Sequence, residues 1–153
     1  MANIVFNISK GRIVEYYNRV KGNDPAASAI ILVPIETTGL ETDAVLIDKD
    51  DLAAFLVGTT NEQTTMGRKT LTDTELAALP APDDTNDRYD VSLPTVTWTA
   101  ASGNAISKIL VCYDSDTAAG TDANIIPLTM FDFAQTPSGS DIQMTTGVFF
   151  RAS

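Results

Sequence analysis

The sequence predicts one α+β domain over residues 1–153. A helix-rich portion, residues 1–82, is followed by a β-rich portion, residues 83–153, folded as an antiparallel β-sandwich of jelly-roll or immunoglobulin-like type. Three observations predict it. Apolar residues recur at near-helical spacing ahead of Pro80 and Pro82. Helical periodicity disappears after Asp83. From there, short β-type runs alternate with turn-rich polar stretches. No internal repeat or flexible linker divides the 153 residues, and this length suits one domain with one core.

Phe6, Ile13, Tyr17 and Val20 share one face of a predicted first helix, which Gly11 weakens and Gly22-Asn23-Asp24-Pro25 ends. Tyr16 and Tyr17 point about 100° apart on a helix, so a narrow apolar stripe does not bury both equally. One of them is expected to face a partner or to sit at the boundary of the core. Residues 28–36 read as a buried strand, placed at an edge or broken at Pro34. Residues 42–47 read as an extended piece or a helix start. Asp48 is a candidate cap for a helix that buries Leu52, Phe55 and Leu56 and ends at Gly58. Residues 64–71 read as a polar strand around Arg68. Thr72-Asp73-Thr74-Glu75 then has capping-box spacing, opening a short helix that the prolines stop.

In the second portion Tyr89, Val91 and Leu93 alternate with polar residues, as do Val96 and Trp98, but with opposite parity. A bulge or kink at Pro94 would let both sets point inward. Residues 106–113 read as a central strand, 114–122 as a polar loop, and 124–133 as a strand region broken at Pro127. Residues 136–140 read as a turn before a last strand pair that starts at Ile142 and Met144 and ends at Phe150. Trp98 and Cys112 are expected in the core.

Twenty acidic residues against ten basic ones give a net charge of −10, which disfavours nucleic acid and anionic membranes as partners. The longest apolar run, residues 29–35, falls short of the ~20 residues a membrane span needs. The N-terminus has neither a basic region nor a long apolar stretch before Lys10, so secretion is not expected. With one cysteine there is no intrachain disulfide and no thiol-based metal site.

The chain has no histidine, which removes histidine triads and the commonest general base. Neither a Gly-Lys-Ser/Thr phosphate loop nor Gly-x-Ser-x-Gly occurs. Carboxylates are the remaining catalytic option. The densest set is Asp83, Asp84, Asp87 and Asp90, which contains Arg88 and reads as a solvated loop rather than a glycosidase pair. Asp114, Ser115, Asp116 and Asp122 offer hard oxygens to a cation, but Gly120 is one place late for an EF-hand and no Glu closes the loop, so an ordinary turn is expected. No catalytic residue, cofactor or metal ligand is assigned.

The order of several segments resembles a family of small virion proteins of tailed bacteriophages. The segments are Phe6-Asn7-Ile8-Ser9-Lys10-Gly11-Arg12, Arg68-Lys69-Thr70-Leu71, Asp83-Asp84-Thr85-Asn86-Asp87-Arg88, Thr97-Trp98-Thr99-Ala100, Ile109-Leu110-Val111-Cys112-Tyr113-Asp114, Asn124-Ile125-Ile126-Pro127-Leu128 and Gly147-Val148-Phe149-Phe150-Arg151-Ala152-Ser153. The resemblance implies a non-enzymatic head decoration (cement) protein, assembled in the host bacterial cytoplasm and carried on the virion. Its implied partners are the major capsid protein and further copies of itself, as a homotrimer on three-fold sites. A tail or head–tail connector component is the second reading. A glycan-binding module or glycan-active enzyme is the rival from another class. Because residues 2–6 are apolar and terminal, Asn3, Ile4, Val5 and Phe6 are expected to contribute to an intersubunit or capsid contact, unless Phe6 tucks under its own helix.

Overall fold

Residues 29–35 contain no polar side chain, the pattern of a strand covered on both faces. In the computed structural model, which describes residues 4–153, this run is the middle of the fold. In chain order the elements are β1 (Ile4–Val5), a 3-10 turn (Asn7–Ser9), α1 (Ile13–Lys21), β2 (Ala29–Glu36), α2 (Asp43–Leu46), α3 (Leu52–Leu56), β3 (Lys69–Leu71), α4 (Asp73–Leu76), β4 (Tyr89–Leu93), β5 (Val96–Trp98), β6 (Ile106–Asp114), a second 3-10 turn (Asp122–Asn124), β7 (Ile126–Gln135), β8 (Ile142–Met144) and β9 (Gly147–Ala152).

Five strands form an antiparallel sheet in the order β1-β7-β6-β2-β3. Its two faces carry separate cores. On one face Ile30, Leu32, Ile109 and Val111 meet α1 and two small antiparallel ribbons, β4–β9 and β5–β8. On the other face Ile31, Val33, Leu110 and Cys112 meet Phe6, Leu46, Leu52 and Phe55. Phe6 packs edge-on against Phe55 with ring centroids 5.9 Å apart. Among the described residues no helix is long and apolar enough to cross a membrane.

The expected division into a helical first half and a β-sandwich second half does not hold. Among the described residues strand accounts for 35% and helix, with the 3-10 turns included, for 19%, and the four α-helices are short. β2, from the first half, pairs with β6, from the second, from Ala29↔Asp114 to Glu36↔Ile106. A strand buried on both faces must also have its backbone N–H and C=O groups paired along its length, and only the second half supplies a strand long enough to do so. The C-terminal strands therefore complete a sheet begun by the N-terminal segment, and the ones left over form ribbons laid on one face of it.

Local departures have similar causes. The first helix starts at Ile13, because Gly11 takes a φ of +82° that right-handed helix excludes, and Phe6 belongs to the segment before it. Tyr16 and Tyr17 are both buried, since α1 lies between Tyr113 of β6 and the β4–β9 ribbon. Tyr16 stacks on Tyr113 at 4.5 Å, and the Tyr17 hydroxyl donates to the Ser92 carbonyl at 2.9 Å. β2 runs unbroken through Pro34. By then β3 has ended, and the Pro34 carbonyl accepts from Gln63 N–H at 2.9 Å on that side, leaving the β6 ladder intact. β7 likewise runs through Pro127, where the pairing with β6 shifts register between Val111 and Cys112. Asp51, not Asp48, caps α3 by accepting from Ala54 N–H at 2.7 Å. Pro94 separates β4 from β5 rather than kinking one strand, and the register shift falls between Val91 and Ser92. The capping box at Thr72 forms as spaced: Glu75 accepts from the Thr72 hydroxyl at 2.6 Å and from Thr72 N–H at 2.7 Å, and these bonds hold its carboxyl below the usual range.

Candidate functional site

Carboxylates make the most conspicuous polar groups of the chain, and the fold pairs them. In the 83–90 cluster Asp83 accepts from Thr85 N–H and Asn86 N–H at 3.1 and 3.2 Å and from the Asn86 amide at 2.7 Å, an Asx turn. Arg88 Nε lies 3.3 Å from Asp90 and 4.0 Å from Asp83, and Arg151 of β9 also pairs with Asp90. The Asn86 hydrogen bond, before any other influence, lowers the pKa of Asp83, and the Arg151 hydrogen bond does the same for Asp90. Asp84 and Asp87 are exposed.

The 114–122 loop is built the same way. Asp114 accepts from Asp116 N–H and Asp116 from Ala118 N–H, both at 3.0 Å, so both carboxylates shape turns. Asp122 pairs with Arg68. Sequence spacing did not foretell this network. Arg68 Nε and Nη2 donate to Glu62 at 2.8 and 2.6 Å, and Nη1 and Nη2 donate to Asp122 at 2.6 and 3.0 Å. The guanidinium thereby ties β3 and the segment before it to the far end of the loop. Its hydrogen bonds lower the pKa of Asp122. An Arg flanked by acidic residues six positions before and far downstream is the sole signal for it in the sequence, and spacing alone cannot choose the partners.

Three apolar groups singled out in the sequence lie inside the fold. Trp98 is buried and donates its indole N–H to the Gly67 carbonyl at 3.0 Å. Cys112 is fully buried, and burial pushes its thiol pKa up, away from thiolate chemistry. Phe6 is 0% exposed, so it fills the chain's own core. Ile4 and Val5 pair as β1 with Met130 and Thr129 of β7 and are half-buried. Asn3 lies outside the described residues. The surface that this arm can offer a partner is therefore the outer side of Ile4 and Val5.

An apolar groove of about 230 Å³ opens between β7 and the two ribbons, lined by Leu93, Phe131, Phe133, Met144, Val148 and Phe149. It has no charged wall, and sequence patterning did not single it out because its residues come from four strands that each look like ordinary core. No arrangement of a nucleophile beside a base appears in it or at the carboxylate clusters among the described residues. The carboxylate hydrogen bonds and ion pairs hold loops and strands in place. The chain matches no protein-family model, no curated protein and no solved structure.

Proposed function

We propose that the chain is a non-enzymatic structural protein of a tailed-bacteriophage particle, a head decoration protein that binds the major capsid protein and bridges neighbouring subunits. One observation carries the non-enzymatic part. Glu75, Asp83, Asp90 and Asp122 are all held below the ordinary carboxylate range by hydrogen bonds or arginines. A general acid needs the opposite, a carboxyl kept protonated by burial or by a like charge. With no histidine in the chain, these four carboxylates serve as struts. The burial of Trp98 also takes the single indole away from any sugar-stacking platform, which weighs against the glycan reading. The virion part rests on the ordered resemblance of segments described above.

A sheet packed on both faces and cross-tied by Arg68 suits a part that must keep its shape while bound. Binding to the assembled shell, and not to free subunits, stabilises the shell by mass action. The test adds purified protein to heads that lack it, then measures occupancy and the temperature at which DNA escapes. Saturable binding with a raised release temperature supports decoration. Absence of binding to heads, with binding to tails or necks, would move the protein to the connector.

A further inference from the structure

The apolar groove between β7 and the two ribbons has walls that are fixed by residues outside it. Phe133 lies against Trp98 with ring centroids 6.3 Å apart, and the Trp98 indole N–H is bonded to the Gly67 carbonyl. Phe149 lies against Tyr17 at 6.1 Å, and the Tyr17 hydroxyl is bonded to the Ser92 carbonyl. Neither Trp98 nor Tyr17 lines the groove. Its rings are therefore held in place before anything enters, which removes an entropic cost of binding.

Three properties select the occupant. The first is size. Leu93, Phe131, Met144 and Phe149 are each at most 6% exposed, and Val148, at 48%, is the one exposed large hydrophobic residue on the groove among the described residues. A stable protein contact buries about 800 Å² on each partner, and a recessed groove with a single exposed apolar residue falls far short of that. An apolar cavity of about 150 Å³ holds one benzene, so a groove of about 230 Å³ has room for one or two fused rings. The second property is charge. None of the lining residues is charged. A charged ligand would lose hydration there without compensation, and the net charge of −10 opposes anions in particular. The third is the chemistry of the wall. Phe131, Phe133, Phe149 and the Met144 thioether favour an aromatic ligand through ring–ring and sulfur–ring contacts. At the rim the Gln143 amide donates to Thr97 Oγ1 at 3.2 Å, and its Oε1 has no partner among the described residues.

We propose that this groove is a binding site for a small neutral aromatic molecule of one or two rings that carries an N–H or O–H donor. The rings pack among Phe131, Phe133 and Phe149, and the donor meets Oε1 of Gln143 at the rim. The site is independent of the virion reading.

The experiment titrates the full chain with indole, a neutral two-ring probe with one N–H, and follows methyl resonances by NMR. The expected result is saturable binding with a dissociation constant of about 0.1–1 mM. Signals of Leu93, Met144 and Val148 should shift, and those of Leu46 and Leu52 in the other core should not. Val148→Asp, an exposed position checked for fold by circular dichroism, should weaken binding by about tenfold or more. Gln143→Met should weaken indole by about threefold or more and leave benzofuran, the same shape without a donor, unaffected. No saturable shift up to about 5 mM indole would overturn the proposal. So would shifts that persist in Val148→Asp, which would place the probe elsewhere, or equal weakening of both probes by Gln143→Met, which would remove the donor. Self-association of the native chain, or its binding to undecorated heads, that Val148→Asp abolishes would give the groove to a second copy or to a protein partner and overturn it. Shifts seen only after removal of residues 1–3 would overturn it in favour of the chain's own N-terminus.

Discussion

Arg68 and Asp122, 54 residues apart, are joined by two parallel hydrogen bonds, Nη1 to Oδ1 at 2.6 Å and Nη2 to Oδ2 at 3.0 Å. The same guanidinium holds Glu62, whose side chain is only 11% accessible. Removing the cation strands a nearly buried carboxylate and frees the loop that ends at Asp122. Arg68→Met is expected to lower stability by about 3 kcal/mol, read as a shift of the urea midpoint. An unchanged midpoint would show that the network is idle.

The same pair sets a pH dependence. Arg68 lowers the pKa of Asp122 in the folded chain, against a smaller opposing effect of burial. A carboxyl with a depressed folded pKa contributes stability above its unfolded value, about 4, and loses it as pH falls through the lower folded value. Unfolding midpoints should therefore fall as the buffer is taken below about pH 4. In Arg68→Met the Asp122 part of that fall should vanish. An equally steep acid limb in both proteins would contradict the assignment.

Phe6 closes the second core. It is fully buried beside Phe55, and Phe6→Ala is expected to cost about 3–5 kcal/mol. Thermal denaturation measures it. If instead the variant keeps its stability but loses a self-contact or head binding, Phe6 belongs to an interface and not to the monomer's core.

Tyr17 offers a finer check on how α1 is seated. Its hydroxyl donates to the Ser92 carbonyl of β4 in a setting that raises the phenol's pKa by burial. Tyr17→Phe should cost about 1 kcal/mol with no change in secondary structure. A larger loss, with altered circular dichroism, would mean the hydroxyl orients the ribbon as well as satisfying it.

Local features were legible because neighbouring residues determine them. The Thr72–Glu75 capping box is fixed by three-residue spacing, and the buried strand at Ile109-Leu110-Val111-Cys112-Tyr113 by five apolar residues in a row. Burial of Trp98 follows from its parity with Val96. What could not be read is whatever depends on a distant segment. β2 meets β6 70 to 85 residues away, and that single pairing replaces two halves with one sheet. One of Tyr16 and Tyr17 looked surplus because the sequence shows the helix but not the groove with two walls that receives it. Asp48 and Asp51 are equally plausible caps by type, and the extended backbone of Asp51 decides between them. Arg68 was read as the centre of a strand, whereas β3 begins after it at Lys69, and its partners lie six and 54 residues away.

The central claim, a structural part of a phage head, is tested most directly by counting copies of the chain in particles produced from the genome that encodes it. Quantitative mass spectrometry of purified particles, normalised to the major capsid protein, gives the number. Decoration predicts hundreds of copies per particle. A handful per particle would indicate a connector or tail component, and absence from the particles would contradict the virion reading altogether.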